Sequence, residues 1–256
     1  MEPGQAEKPS GLFCIFQGVG MSVDVIIPAG GAGKRMGGAS SKQFMDLAGT
    51  PILARTLNVF NGIREIDGIV LVVPQDEIEF AKMAIVDRFH FSRVRQVLAG
   101  GQERQDSVRK GIFALGPHAE SDDIVVIHDA VRPFVTEELI LKSIDECRRY
   151  GAVTLGVPVK DTVKQVDAEG VVGRTMDRAV FWLTQTPQTF RMSIISEAYG
   201  RAYEEGFRGT DDASLVERIG VGVRMIFGSY ENIKITTPED HEYAEYLVKK
   251  RLRAKG

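Results

Sequence analysis

Short apolar runs punctuate the chain at Val25–Pro28, Ile69–Val73, Val94–Leu98, Ile124–Ile127 and Val153–Val157. Their apolar residues sit at consecutive rather than alternate positions, the pattern of strands buried on both faces. Between them the spacing turns helical. Thr50-Pro51 reads as an N-cap followed by proline in the first helical position, opening a helix that reaches Phe60. Residues 76–89 form a second helix and Arg104–Leu115 a third. Thr136-Glu137-Glu138-Leu139 begins a fourth, which stops at Tyr150-Gly151 because glycine suits the left-handed turn after a helix. Strand and helix alternating in this way predict a doubly wound α/β fold with a mostly parallel sheet.

After Val159 the pattern changes. Asp161-Thr162-Val163-Lys164-Gln165-Val166, a turn at Asp167-Ala168-Glu169-Gly170, and Val171-Val172-Gly173-Arg174-Thr175 predict a polar β-hairpin arm at about 160–178. Such a hairpin buries little by itself, so it leans on another chain or covers the site. Helical spacing returns at 192–205, 211–219 and 238–252, with strands near 223–228 and 232–236. Phe181 and Trp182 read as core residues. The basic run Lys249-Lys250-Arg251-Leu252-Arg253 suits the negative end of a helix dipole.

The apolar run at 11–20 is far shorter than the ~20 residues of a membrane span. The residues before it include acids and lack the cationic start of a signal peptide. Residues 1–20 therefore read as a loose extension and 21–256 as a single domain. The length of 256 residues fits one large α/β domain. Hydrophobic residues at 43% and charged residues at 26% are globular values. A net charge of −3 offers no broad basic field, so nucleic acid is not expected as a partner. No long apolar run points to a membrane. Cys14 and Cys147 are too few and too far apart for a zinc site, which favours a reduced cytoplasmic setting.

The first strand runs into Pro28-Ala29-Gly30-Gly31-Ala32-Gly33-Lys34-Arg35-Met36-Gly37. Glycines after a first strand let backbone N–H groups approach phosphate oxygens. Two familiar loops fail to match. A Walker A loop needs Ser or Thr after Lys34, where Arg35 stands, and the dinucleotide fingerprint needs glycine where Met36 stands. A nicotinamide dehydrogenase also needs an acid at the end of its second strand, where this chain has Val73-Pro74-Gln75. Lys34, Arg35 and Lys42 instead set three cations beside a phosphate-sized cradle. Asp129 follows the Ile124–Ile127 strand at the edge where open α/β sheets bind ligands. His128 reads as a packing residue.

This glycine loop, with Ser41-Lys42-Gln43-Phe44 just beyond it, resembles the sugar-phosphate nucleotidyltransferases. Four more stretches narrow the resemblance: Gly100-Gly101-Gln102-Glu103-Arg104-Gln105-Asp106-Ser107-Val108, His128-Asp129-Ala130-Val131-Arg132-Pro133, Pro158-Val159-Lys160-Asp161-Thr162 and Asn232-Ile233-Lys234-Ile235-Thr236. Across 23–250 the chain is similar to the 2-C-methyl-D-erythritol 4-phosphate cytidylyltransferase family. Ribitol-5-phosphate cytidylyltransferases share much of the pattern and form the alternative within the class. A silent nucleotide-binding regulator is the alternative from another class, although it should have lost Arg35, Lys42 or Asp129. One departure is Gly30, where the family more often carries Ala. The family's fused form carries a cyclase domain after this one, for which the chain leaves no room.

The resemblance implies a Rossmann-like nucleotidyltransferase in which a sugar-phosphate oxygen attacks the α-phosphorus of CTP and pyrophosphate leaves. Both reactants are anions, so catalysis rests on positioning and electrostatics. It implies catalytic roles for Arg35, Lys42, Arg178 and Lys234. It places CTP on Pro28, Ala29, Gly30, Gly31, Gly33, Lys42, Gly101, Gln102, Arg104 and Ser107. It places the polyol phosphate on Asp129, Arg132, Thr162, Arg178, Thr186, Thr210 and Lys234. The triphosphate charge calls for a Mg²⁺ cofactor, and Asp129 at its strand end is the carboxylate expected to hold it, since Mg²⁺ takes one or two carboxylates plus phosphate oxygens. Finally, the resemblance implies a homodimer whose arm brings Arg178 to the neighbouring subunit's site.

Overall fold

Successive side chains of a strand point to opposite faces, so a run apolar at every position must be covered on both sides. The computed structural model describes residues 21–30 and 41–254, and it shows that arrangement. In chain order the elements are β1 (Val23–Pro28), a small ribbon of β2 (Asp46–Leu47) with β3 (Thr50–Pro51), α1 (Ile52–Asn61), β4 (Gly68–Val73) and α2 (Ile78–Phe80), which runs on as a π-helical turn over Ala81–Asp87. Then come β5 (Val94–Ala99), α3 (Arg104–Leu115), β6 (Ile124–Ile127), α4 (Glu137–Tyr150), β7 (Ala152–Pro158), β8 (Lys164–Val166), β9 (Val172–Thr175) and β10 (Trp182–Arg191). The chain ends with α5 (Met192–Glu204), α6 (Asp212–Arg218), β11 (Arg224–Phe227) and α7 (Pro238–Arg253).

The main sheet has the order β11-β7-β10-β6-β1-β4-β5. Its pairs are parallel except those of β10, which runs antiparallel to β6 and β7. Alternation sorts the core. Val25, Ile27, Ile69 and Leu71 pack with Leu57 and Phe60 of α1 and Ile140 and Ile144 of α4. Ile26, Val70 and Val72 face the other way, onto Val108 and Ile112 of α3 and Ile195 of α5. α7 closes a third cluster with Leu47, Ile52, Phe134, Ile235 and Leu247. From β1 the sheet grows one way through β4 and β5 and the other way through β6. The β1/β6 boundary is therefore the switch point at which such sheets open a crevice beyond their strand ends.

Thr136 caps α4 as expected, accepting from the Leu139 N–H, and Gly151 ends it at φ +80°. The arm also forms as expected: β8 and β9 pair antiparallel, every residue of both strands is exposed, and Gly170 turns the chain at φ +83°.

Several expectations need correction. The first helix starts at Ile52 with Pro51 as its N-cap, because Thr50 is held in the ribbon opposite Leu47. β5 is an edge strand and is not buried on both faces. Residues 232–236 form no strand: the Ile235 N–H donates to the Val131 carbonyl, which ties the segment to the turn after β6. β10 was not foreseen, since its polar Thr-Gln-Thr-Pro-Gln-Thr centre reads as loop and Pro187 argues against an interior strand. The register slips between Gln185 and Gln188 around the cis Thr186-Pro187 bond, which lets the proline sit there. Trp182 is exposed at the start of β10, edge-on to Phe227, and is no core residue. The extension at 1–20 and the loop residues Gly31, Gly33, Lys34 and Arg35 lie outside the described residues.

Candidate active site

At the switch point β1 delivers Pro28, Ala29 and Gly30, and β6 delivers His128 and Asp129. Pro28, Ala29, Gly30 and Asp129, with Lys42, Arg104 and Lys234, line a cleft, and His128 is buried beneath it. Gly30 and Arg104 also line a wider groove, walled by Ser41, Glu77, Gly101, Gln102 and Ser107. The two spaces thus adjoin at Gly30 and Arg104. Ser41 and Gln43 both donate to the Glu77 carboxylate, Gln43 Nε2 at 2.9 Å, which ties the residues after the glycine loop to the groove wall.

Asp129 is the hub. Its Oδ1 accepts from Arg104 Nε at 2.9 Å, its Oδ2 pairs with Lys234 Nζ at 2.9 Å, and Arg132 Nε lies 3.6 Å from Oδ2. Burial alone would raise the Asp129 pKa, but Arg104, Lys234 and Arg132 overcome it and hold the carboxyl far below its ordinary range. Asp129 is therefore ionised throughout the neutral range. Arg132 is fixed from behind by a 2.7 Å bond from its Nη1 to the Asn232 carbonyl.

The turn that carries Asp129 is pinned by a hydrogen-bond chain. The Asp129 N–H donates to Thr186 Oγ1 at 3.0 Å, so the hydroxyl has its proton free to donate to His128 Nδ1 at 3.1 Å. The Arg132 carbonyl, 3.1 Å from Nε2, can only accept, which assigns the single N–H proton of the neutral ring to Nε2. Burial pushes the His128 pKa down to about 4, so the ring is neutral at pH 7. His128 is a packing residue, as expected, and it packs against Phe60.

Eight of the residues expected at the nucleotide line these spaces: Pro28, Ala29, Gly30, Lys42, Gly101, Gln102, Arg104 and Ser107. The Ser107 hydroxyl is already engaged, accepting from the Gly101 N–H and donating to the Glu103 carbonyl. Of the residues expected at the second substrate, Asp129, Arg132, Thr186 and Lys234 form the cluster just described. Three lie elsewhere in this chain. Thr162 is exposed at the base of the arm just before β8, Thr210 is exposed before α6, and Arg178 donates from Nη1 to the Lys160 carbonyl at 2.6 Å. Asp212, Tyr199 and Asn232 belong to the cluster but were not foreseen. Asp211-Asp212-Ala213-Ser214 reads in sequence only as a helix start, and Tyr199 only as one apolar position of a helix.

The carboxylates do not fit a protein-held Mg²⁺. Both oxygens of Asp129 face cations, and both oxygens of Asp212 accept from Arg104. Among the described residues no group of three His, Cys, Asp or Glu side chains could hold a metal ion. Also among the described residues, no helix is long and apolar enough to cross a membrane.

The family model described as 2-C-methyl-D-erythritol 4-phosphate cytidylyltransferase matches residues 23–250. The enzyme of that name from Geobacter metallireducens is 48% identical over 232 residues, 91% of this chain and 100% of its own. Its counterpart from Syntrophus aciditrophicus is 47% identical, covering 89% of this chain and 96% of its own. The crystal structure of 4-diphosphocytidyl-2C-methyl-D-erythritol synthase from Anaerococcus prevotii superposes with a TM-score of 0.78 at 34% identity, covering 90% of this chain and 96% of that one.

Proposed function

The chain belongs to the 2-C-methyl-D-erythritol 4-phosphate cytidylyltransferase family, and on that premise we propose how its side chains divide the work. The enzyme transfers CMP from CTP to 2-C-methyl-D-erythritol 4-phosphate and releases pyrophosphate, a step of non-mevalonate isoprenoid biosynthesis. The ribitol phosphate and silent-regulator alternatives fall away with that assignment. The observation that carries the division of labour is the convergence of Arg104, Arg132 and Lys234 on buried Asp129 at the sheet's switch point.

CTP lies along the groove from Gly101, Gln102 and Ser107 to Gly30 and Lys42. Backbone N–H groups of the glycine loop, with Arg35 and Lys42, oppose the charge that builds on the α-phosphoryl oxygens. One such donor is worth roughly 3–4 kcal/mol of transition-state stabilisation. The methylerythritol phosphate enters beside Asp129, its phosphate met by Lys234 and Arg132. Asp129 keeps these cations apart and oriented without titrating, so the cluster presents donors to two anions at once. Thr162, Thr210 and Arg178 complete the pocket, with Thr162 and Arg178 supplied by the arm of a second copy in a homodimer. The fully exposed arm and the exposed apolar Val180, Trp182 and Leu183 beside it support that assembly.

Mg²⁺ belongs to this proposal as the counter-ion of the triphosphate, not as an ion held by Asp129. A cytoplasmic setting belongs to it as well, because CTP is found there. The test is pyrophosphate release by purified protein with CTP, Mg²⁺ and one acceptor at a time. The expected result is release with methylerythritol 4-phosphate and none with D-ribitol 5-phosphate. Release with ribitol phosphate alone would overturn the substrate assignment.

A further inference from the structure

Arg104 opens α3 and reaches the junction of the cleft and the groove. It gives all three guanidinium nitrogens to protein carboxylates. Nη1 and Nη2 donate to Oδ1 and Oδ2 of Asp212 at 2.9 and 2.7 Å, and Nε donates to Asp129. Asp212 is fully buried, and an ionised carboxylate without water persists only with its oxygens satisfied. Tyr199 of α5 supplies the remaining bond, its hydroxyl donating to Asp212 Oδ1 at 2.5 Å. Burial and the adjoining Asp212 charge drive the Tyr199 pKa well up, so the hydroxyl stays a donor.

The backbone under Asp212 is fixed independently. Asp211 caps α6 by accepting from the Ser214 N–H at 3.0 Å, and Gln188 of β10 bonds both Asp211 Oδ2 and the Ala213 N–H. The Arg104 side chain keeps 28% of its surface exposed, so a ligand can still meet it. A free arginine side chain would lose its rotamer freedom on binding a ligand. Here that freedom is already lost, and a planar fork held at one edge presents its other hydrogens in a set direction.

We infer that Asp212 and Tyr199 are positioning residues for cytidylyl transfer, holding the Arg104 guanidinium across the cleft–groove junction so that the nucleotide meets a donor already oriented. The inference rests on the proposed reading of Arg104 as a nucleotide contact. Asp212 and Tyr199 act through Arg104 and touch no substrate.

Three substitutions and one double variant test it by CTP titration calorimetry and by the split between KM and kcat, with melting curves alongside. Asp212→Asn raises the KM and Kd for CTP about tenfold or more, the size of one hydrogen bond to a charged group, while kcat at saturating CTP changes far less. Tyr199→Phe removes one hydroxyl and raises both about fivefold. Arg104→Lys keeps the charge but loses the fork; in that background Tyr199→Phe has no further effect on CTP affinity. If Asp212→Asn does not fold, Tyr199→Phe decides alone. Variants that lower the melting temperature but leave the KM for CTP unchanged, or losses that simply add in the double variant, overturn the positioning role. An unchanged CTP affinity in Arg104→Lys overturns instead the reading of Arg104 on which the inference stands.

Discussion

The two edges of the main sheet both bury aspartates, and they use them in opposite ways. At the edge where β1, β4 and β6 begin, Asp67 and Asp123 serve the backbone, accepting from the Val23 and Ser22 N–H groups at 2.8 and 2.7 Å. Asp24 sits between them with the exposed Arg95, 3.5 Å away, as its cation among the described residues, and burial pushes its pKa up to about 6. At the opposite edge Asp129 is as buried as Asp24 but faces Arg104, Lys234 and Arg132, and its pKa falls far below the ordinary range. Burial acts the same way on both; the neighbours decide the sign. The first edge closes strand ends. The second holds cations whose exposed sides are left for anionic ligands.

The most severe way to break the second edge is Asp129→Ala. Three cations would then face one another with no counter-charge. Losing one partner of a buried ion pair costs about 3–5 kcal/mol, and about 2–4 °C of melting temperature accompanies each kcal/mol at this size. The expected result is a melting point lower by roughly 6–20 °C and activity lower by at least about 100-fold. Calorimetry and turnover measure both. A variant that melted like the parent would show that Asp129 does not organise the cations.

The second prediction concerns the arm. Arg178→Ala is expected to lower kcat/KM about 100-fold while leaving the melting temperature unchanged, because the Arg178 side chain is exposed and among the described residues bonds the Lys160 carbonyl alone. Lys234→Ala breaks the body of the site instead. If the arm serves a second copy, mixing the two inactive variants and letting subunits exchange restores about a quarter of the parent activity: half the dimers are mixed and each has one intact site. If the arm serves its own chain, the mixture stays inactive. That outcome would return Arg178 to the same chain's cleft and remove the reason for a dimer.

What could be read from the sequence follows the same division. Strands such as Ile124–Ile127 and helices such as Arg104–Leu115 were legible because continuous apolar runs, caps and glycine stops are local signals. β10 was not, since its buried polar residues are satisfied only by distant groups, as when Gln188 bonds Thr154 and Asp211. Asp129, Arg104 and Lys234 were legible through a family resemblance, yet the resemblance did not say that Asp129 would be spent on cations rather than on a metal. Asp212 escaped because its meaning lies in a partner 108 residues away.

The smallest expected effect sharpens the comparison from the other edge. Asp24 has a folded pKa near 6 against 3.8 for the free side chain, so the folded state binds its proton more tightly than the unfolded state. Below about pH 4 both states are protonated and the stability due to this proton is fully present; it is lost as pH rises through about 6, where folding must bury the ionised form. The sign is thus opposite to that of Asp129, whose contribution is present above the unfolded carboxylate pKa and is lost only in strong acid. Asp24→Asn keeps the shape, removes the buried charge and relieves its repulsion with Asp67 and Asp123. It is expected to stabilise the protein by about 1–2 kcal/mol near pH 8, a rise of roughly 2–8 °C in melting temperature, and by almost nothing near pH 4. Thermal melts of parent and variant at a series of pH values should show the gap opening between about pH 4 and 6 and then holding steady. A variant less stable than its parent near pH 8 would mean that the Arg95 pair outweighs burial, and that the two edges differ in degree rather than in sign.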